Sequence, residues 1–532
     1  MAPFLPCRLK PLTRTAVLLY RFLHQRVHPF CVQLCYFLSL SAVGFLLLKT
    51  IPPKWKSTAV PQQRPSDLDL FFTSVSAVTV SSMSTVEMEF FSNAQLVVLT
   101  VLMLVGAEPF TSLLGLLLRK LQLEEDQKET SMTVIEEHGP EATSSNHIEL
   151  GLMVWEPEIR VLAPTAAAPN KEDVVKPRAV RCLALVVLGY ITVINVMGSS
   201  LVLLYLVAVP SAGGVLTSKN IPLLTFSVFT VVSSFSNCGF VPNNENMIAF
   251  RKHPGLLLLV AAVILAGNTL YPPLLRSVIW ALGRAAKRRP AATLFKYLLR
   301  KHVEVGSDHL LSARRCVLLS LTVAGLLLVQ LVLFCSMEWG SEGLEGMSAY
   351  QKLVGAVFMS VNSRHAGEFV VDISSVSSAV LVLYVVMMYL PPYTTFMLVK
   401  HDDQEAKSVD VSGKEEKRRK ALMESLVFSH LCYLAVFTIL VCITEREQLT
   451  RDPLNFNVLY IVIEVVSAYG NVGFSTGYSC ARRLRKDGEC RDMSYGFAGR
   501  WSSEGKLLLI CVMFFGRLKR VSMDGGKAWI LG

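Results

Sequence analysis

Ser82, Gly239, Gly367 and Gly473 stand at corresponding places in four short loop tips: SSMST (81–85), CGFVP (238–242), AGEFV (366–370) and VGFST (472–476). SMST against GFST is the closest match, and it sets Ser82 opposite Gly473. The chemistry open to such a set is the dehydration of an ion. An ion that leaves water needs oxygens in place of its hydration shell, and backbone carbonyls supply them when the chain can turn them inward. Glycine suits that strand because it reaches backbone angles closed to other residues and lets an ion come close. One such glycine alone reads as well as a tight turn or a helix C-cap. Three at one register of a fourfold repeat, with a serine in the fourth, point to a shared site.

Each tip closes a half-polar run rich in Ser, Thr, Asn and Gly, over about 68–83, 221–240, 348–368 and 455–475. Each run opens with an amphipathic stretch, such as DLFFTSVSAV or FNVLYIVIEVV. Eight longer apolar stretches flank these runs in pairs: 30–51, 94–118, 182–209, 254–282, 315–337, 374–399, 424–443 and 505–524. Roughly 20 apolar residues cross a bilayer core as a helix. The half-polar runs are too short and too polar to do so. Backbone of that kind survives at membrane depth only where protein or a water-filled cavity covers it. Re-entrant loops, a half-helix in and an extended strand out, are therefore expected; amphipathic helices lying on the surface are the alternative. Half-helices that aim the same dipole end at a central cavity favour a cation there. A second shared punctuation falls midway along the later helix of each repeat: GAEPF (106–110), GNTLYPP (267–273), YLPPY (389–393) and FFGR (514–517).

The predicted fold is thus an all-α membrane protein, eight transmembrane helices in four helix–pore loop–helix repeats around one central pore. The expected division is a cytoplasmic N-terminus (1–29), a first repeat (30–120), a cytosolic insert (121–178), a second repeat (179–283), a basic cytosolic loop (284–312), a third repeat (313–400), a cytosolic loop (401–420) and a fourth repeat with a short C-terminus (421–532).

Composition agrees. Of 532 residues, 52% are hydrophobic and 17% charged, with a mean hydropathy of +0.45, against about 25% charged in an ordinary soluble domain. A single soluble domain and a disordered chain are both excluded. The formal charge of +11 is placed in loops, for topological reasons, and not in a nucleic-acid surface. Arg8, Lys10, Arg14, Arg21 and Arg26, the 284–315 run, and Lys414 to Lys420 all fall on one side if eight spans are counted, so both termini are expected in the cytoplasm. No cysteine or histidine cluster reads as a metal site, and HExxH, GxSxG and the P-loop pattern are absent. Neither an enzyme nor a cofactor is expected, and no metal beyond a permeating cation.

Other residues near the tips carry charge. Glu87 and Glu89 follow the first tip, Glu245 the second, and Glu368 with Asp372 the third; acids at a mouth would concentrate cations, with Glu87, Glu245 and Glu368 the candidates and ordinary solvated acids the alternative. Arg517 sits inside the last apolar stretch, where an arginine is costly and faces a cavity or a partner unless it snorkels to the surface. Glu108 and Asn268 lie at the equivalent depth. Glu464 reads equally as a partner of Arg517 or as a structural hydrogen-bonding carboxylate, and Arg364 and His365 as residues that shape the third loop rather than carry proton chemistry. Cys480 and Cys490 share one loop, where an oxidising compartment would permit a disulfide.

The segments TVSSMSTVEMEFFSN (79–93), SNCGFVPNNENM (236–247), VNSRHAGE (361–368), SAYGNVGFSTGYSC (467–480) and YGFAGRWS (495–502) closely resemble the plant high-affinity potassium transporter (HKT) family of the Trk/Ktr/HKT cation transporters. The resemblance covers nearly the whole chain from about residue 30. It implies one cation pore per subunit with a selectivity filter at Ser82, Gly239, Gly367 and Gly473, and a basic residue in the last helix, Arg517 here, as a barrier to permeation below it. In the family, serine in the first loop marks the sodium-selective branch and glycine the potassium-permeable one, with exceptions. The implied activity is channel-like Na+ uniport down its gradient across the plasma membrane; potassium permeation or Na+/K+ symport is the alternative activity, and an endomembrane the alternative home. The implied partners are Na+ or K+, the lipid bilayer and a second copy of the chain in a homodimer.

Overall fold

Each half-polar run folds as a short buried helix followed by extended backbone. The computed structural model of the chain describes residues 29–54, 65–136, 171–286, 291–302, 309–391, 393, 430–483 and 490–522. The helices are α1 (Pro29–Thr50), α2 (Asp67–Thr79), α3 (Asn93–Gly106), α4 (Glu108–Glu136), α5 (Lys171–Ala208), α6 (Pro210–Ser218), α7 (Leu223–Ser236), α8 (Pro254–Gly267), α9 (Tyr271–Ala285), α10 (Ala291–Arg300), α11 (Ala313–Glu338), α12 (Ala349–Asn362), α13 (Ser378–Tyr389), α14 (His430–Thr444), α15 (Arg446–Arg451), α16 (Val458–Gly470) and α17 (Ser503–Ser522). Among the described residues there is no strand. The basic N-terminus (1–28), most of the 121–178 insert and the 401–420 loop lie outside the described residues.

Local sequence sets where the four short helices begin. Ser66 and Asp69 cap α2 reciprocally, as Ser348 and Gln351 cap α12, while the Asn457 side chain caps α16 and Pro222 opens α7 from extended backbone. Their far ends differ. Val80 (φ 53°), Asn237 (φ 60°) and Asn471 (φ 52°) end α2, α7 and α16 in the left-handed region, whereas α12 leaves through a right-handed Ser363. Although rich in Ser and Thr, these helices are buried along their last two turns. Several of the hydroxyls bond back to their own helix, which offsets their burial: Thr73 donates to the Asp69 carbonyl, Thr79 to Val75, Ser227 to Leu223 and Ser360 to Ala356.

The longer helices are apolar on their outsides. Val43, Leu46, Val97, Val196, Leu204, Leu321, Leu328, Val382 and Ile439 are exposed, far more apolar surface than a soluble protein leaves to water. Phe30–Thr50, Val175–Ala208 and Ala313–Glu338 are each long and apolar enough to cross a membrane. The expected spans 94–118 and 254–282 are not continuous. The first breaks at Ala107 and the second between Gly267 and Tyr271. Prolines at 109, 272 and 273 explain this, since each lacks the amide that would carry a helix across the break. By contrast α17 runs through its Gly516 unbroken. These punctuation glycines are places of close approach. A Cβ on Gly106, Gly267 or Gly516 would lie 2.0, 1.8 or 2.1 Å from the Val78, Phe235 or Tyr469 carbonyl oxygen.

The described residues fall into two compact units: those within 112–188 and 278–302 form one, and those within 29–111, 189–277 and 309–522 the other. In the first, Ile279 and Leu298 are wholly buried and Gly283 lies beside Phe295. All four loop tips belong to the second. There α2 packs on α3, α3 on α7, α7 on α8, α8 on α12, α13 on α16, α16 on α17, and α17 back on α2. α11 touches both α12 and α13. The packing therefore closes on itself, and the loop tips lie within it.

Candidate ion pathway

Ser82, Gly239, Gly367 and Gly473 all have positive φ, at 54°, 80°, 67° and 100°. The four tips touch one another in order. A Cβ built on Gly473 would fall 2.1 Å from Ser82 Cβ and 2.8 Å from its Oγ. One on Gly367 would meet the Val472 carbonyl oxygen at 2.2 Å, and one on Gly239 the Ala366 oxygen at 1.4 Å. The circuit closes between the second tip and the end of α2, where Cys238 Sγ lies 4.0 Å from the Ser76 carbonyl oxygen. Four tips predicted from sequence to share a register are thus brought together. Glycine is required at Gly239 and Gly473 because neighbouring chain occupies the place of a side chain. Ser82 is the one member that carries a side chain, and that side chain lies against Gly473.

The third tip departs from the expected register. In the others, the amide five residues beyond a helix carbonyl belongs to the residue before the tip position: Ser81 to Ser76, Cys238 to Ser233, Val472 to Ser467. In the third that amide is Gly367 itself, bonded to the Asn362 carbonyl. The left-handed residues alternate in three loops but are adjacent in this one, at Ala366 and Gly367. One residue has been drawn out of the strand, and Glu368 takes the hydrogen-bonding place that Gly473 has in the fourth loop. Its amide donates to Asn362 Oδ1 at 2.9 Å as that of Gly473 does to Ser467 Oγ.

Glu368 is therefore not the mouth acid expected. It is fully buried and its Oε1 accepts from Ser234 Oγ at 2.6 Å, pinning the third loop to α7. Burial follows from the tightened loop, which turns the side chain behind the strand. Glu464 has a comparable place behind the fourth tip: buried in α16, its Oε1 accepts from Ser475 Oγ and the Ala498 amide. Arg364 donates to the Pro391 carbonyl and the His365 ring meets Asn268, so both do shape the third loop.

Below the tips is a cavity lined by the ends of the short helices and by Arg517, Glu108, Asn268 and Arg364. Arg517 donates to the Gly106 carbonyl and lies over the Phe37 ring, 5.5 Å from its centroid. Glu108 accepts from Tyr393 at 3.0 Å. The arginine faces the cavity, with its headgroup on α3 and α1.

A family model described as a cation transport protein, TrkH, matches residues 160–523. The chain is 48% identical over 514 residues to the cation transporter HKT1;3 of Oryza sativa, covering 96% of this chain and 93% of that protein. It is 49% identical over 474 residues to the sodium transporter HKT1 of Arabidopsis thaliana, covering 88% and 89%, and 47% identical over 500 residues to the probable cation transporter HKT1;4 of Oryza sativa, covering 94% and 97%. The chain belongs to the TrkH/HKT family. It is a cation transporter, a multi-pass membrane protein and not an enzyme.

On the far side of the tips from Arg517, the transporter's acids are largely engaged. Lys219 bonds Glu89 at 2.8 Å and also Glu245, and Asn244 exchanges hydrogen bonds with Glu89. Burial pulls the Lys219 ammonium down, but the hydrogen bonds and charges of Glu245 and Glu89 outweigh it and hold it above the ordinary lysine value. Glu245 was expected as a bare mouth acid; a lysine that no motif announced sits on it. Glu87 accepts from the Ser494 amide at 3.0 Å. Asp372 caps its own turn through Ser374. Cys480 and Cys490 are joined in a disulfide, with Cα atoms 5.8 Å apart.

Proposed function

We propose that the chain is a sodium-selective, channel-like uniporter of the plasma membrane. Sodium enters through a filter of Ser82, Gly239, Gly367 and Gly473, crosses the cavity, and passes Arg517 into the cytosol down its electrochemical gradient. Eight spans in four repeats surround that single pore, with both termini cytoplasmic and two subunits paired, each with its own pore. The observation that carries this reading is the circuit of four positive-φ tips in which Ser82, alone of the four tip positions, carries a side chain, set against Gly473. The bulk and hydroxyl of that serine narrow the ring and hold its strand from opening to the spacing a larger ion needs, whereas sodium is smaller and keeps part of its water. The sodium transporter name carried by an Arabidopsis relative agrees with it. Arg517, fixed by Gly106 and Phe37, sets one positive charge in the cavity as an electrostatic barrier.

Reversal potentials in voltage-clamped oocytes under sodium and potassium exchange test the proposal. Wild type is expected to follow sodium alone, and Ser82→Gly to gain potassium permeability. A wild-type reversal potential that follows both ions replaces this reading with a potassium-permeable transporter.

A further inference from the structure

The Ser82–Gly473 seam is held by a polar relay that reaches it from both sides. Asn471 Nδ2 lies 2.7 Å from Ser81 Oγ, and Ser81 Oγ lies 2.7 Å from Thr79 Oγ1. Thr79 in turn donates to the Val75 carbonyl at 2.8 Å. A hydroxyl has one hydrogen to give. Thr79 spends its hydrogen on Val75, so Ser81 donates to Thr79 and accepts from Asn471. The order is fixed from amide to carbonyl. Asn471 also donates to the Met513 carbonyl at 3.2 Å, which ties the relay to α17. One side chain thus joins the first loop, the fourth loop and the last helix.

The position of this relay makes it more than a helix cap. Ser81 is the residue before Ser82, and the Ser81 carbonyl oxygen is 2.9 Å from the place a Gly473 Cβ would take. Asn471 is two residues before Gly473 and is itself left-handed, a conformation that asparagine tolerates better than most residues. Of the three loops that end in a left-handed cap, the first has Val80 and the second Asn237. Asn237 turns its amide to the Phe235 carbonyl of its own helix, α7, at 3.2 Å. The fourth loop alone uses the cap side chain to grip its neighbour.

We infer that Asn471 is a specificity-setting positioning residue, which acts through Ser81 to hold the Ser82 strand against Gly473. This rests on the reading of Ser82 as the selectivity determinant. Without the relay, the strand is free to draw the serine back from Gly473, and the seam opens toward the geometry of an all-glycine ring.

The test is the ratio of potassium to sodium permeability from bi-ionic reversal potentials, with surface protein quantified in the same oocytes. Ser81→Ala removes one oxygen and no backbone restraint. Asn471→Gly removes the amide and keeps the left-handed backbone available. Each is expected to raise the ratio about three- to tenfold, the scale of one lost neutral hydrogen bond. The double variant is expected to exceed the larger single effect little, because both remove one interaction. Unchanged ratios in Ser81→Ala while Ser82→Gly raises its own would overturn the inference and leave the serine reading standing. An unchanged ratio in Ser82→Gly itself would remove the reading on which the inference rests. A fall in surface protein or in both currents alike, at constant ratio, makes the relay a stability device only and also overturns it. Ser81→Ala decides the matter even if Asn471→Gly does not reach the surface.

Discussion

Two seams between loop tips show opposite solutions to the same crowding. At the first–fourth seam, the Ser82 side chain meets Gly473, and the contact is governed by neutral groups, Asn471, Ser81 and Thr79. At the second–third seam, backbone meets backbone: Gly239 lies against the Ala366 carbonyl, and a buried carboxylate, Glu368, pins the strand from behind through Ser234. The first seam is adjustable, because a side chain can rotate or be replaced by one of another size. The second has no side chain at the close contact between Gly239 and the Ala366 carbonyl to adjust. Tuning for one ion over another is thus expected at the first seam, and damage to the second is expected to cost the fold.

The sharpest way to break this contrast is Gly239→Ala. Its Cβ would arrive 1.4 Å from the Ala366 oxygen at a φ of 80°, for a penalty of about 3 kcal/mol or more from overlap and strain together. Loss of current with loss of surface protein is expected, with no state of altered selectivity on the way; a well-expressed variant with a shifted reversal potential would show that the second seam is tunable after all. Next comes Glu368→Ala, which leaves Ser234 without its acceptor and opens a void, for about 2–4 kcal/mol. A clear fall in the Tm of the detergent-purified protein is expected, with Glu368→Gln, which keeps the shape and an acceptor oxygen, losing less than half as much. Equal losses would mean that the charge, and not the pin, matters. The smallest effect is expected outside the seams. Lys219→Gln frees Glu89 and Glu245, and inward current is expected to rise roughly twofold at low ionic strength and to return toward wild type at high salt. A shift in ion selectivity from this change would show that control of selectivity is not confined to the seams.

Much of this is legible in the sequence. The short helices at 67–79, 223–236, 349–362 and 458–470 lie within the half-polar runs read from sequence, because Ser, Thr and small residues in an otherwise apolar chain mark places shielded from lipid. The tip residues were found from their repetition. Legibility failed where contacts are long-range. Glu368 next to a tip glycine looks like a mouth acid, and only the one-residue tightening of its loop turns it inward. Lys219 meets Glu89 across 130 positions of sequence, and nothing in either residue announces the other. Asn471 carried a faint signal, an asparagine two residues before a glycine, which suggests a left-handed cap but says nothing of Ser81, 390 positions away.

The sequence by itself determined the class of the protein, the number of short buried helices, the four tip positions and the family, since each depends on local composition, periodicity or motif. Tertiary structure alone decided which tips touch, which side chain crosses which seam, and which acids are spent on neighbours. Those are matters of distance between segments far apart in the chain, set by how the helices pack into a closed circuit, and no local pattern encodes them.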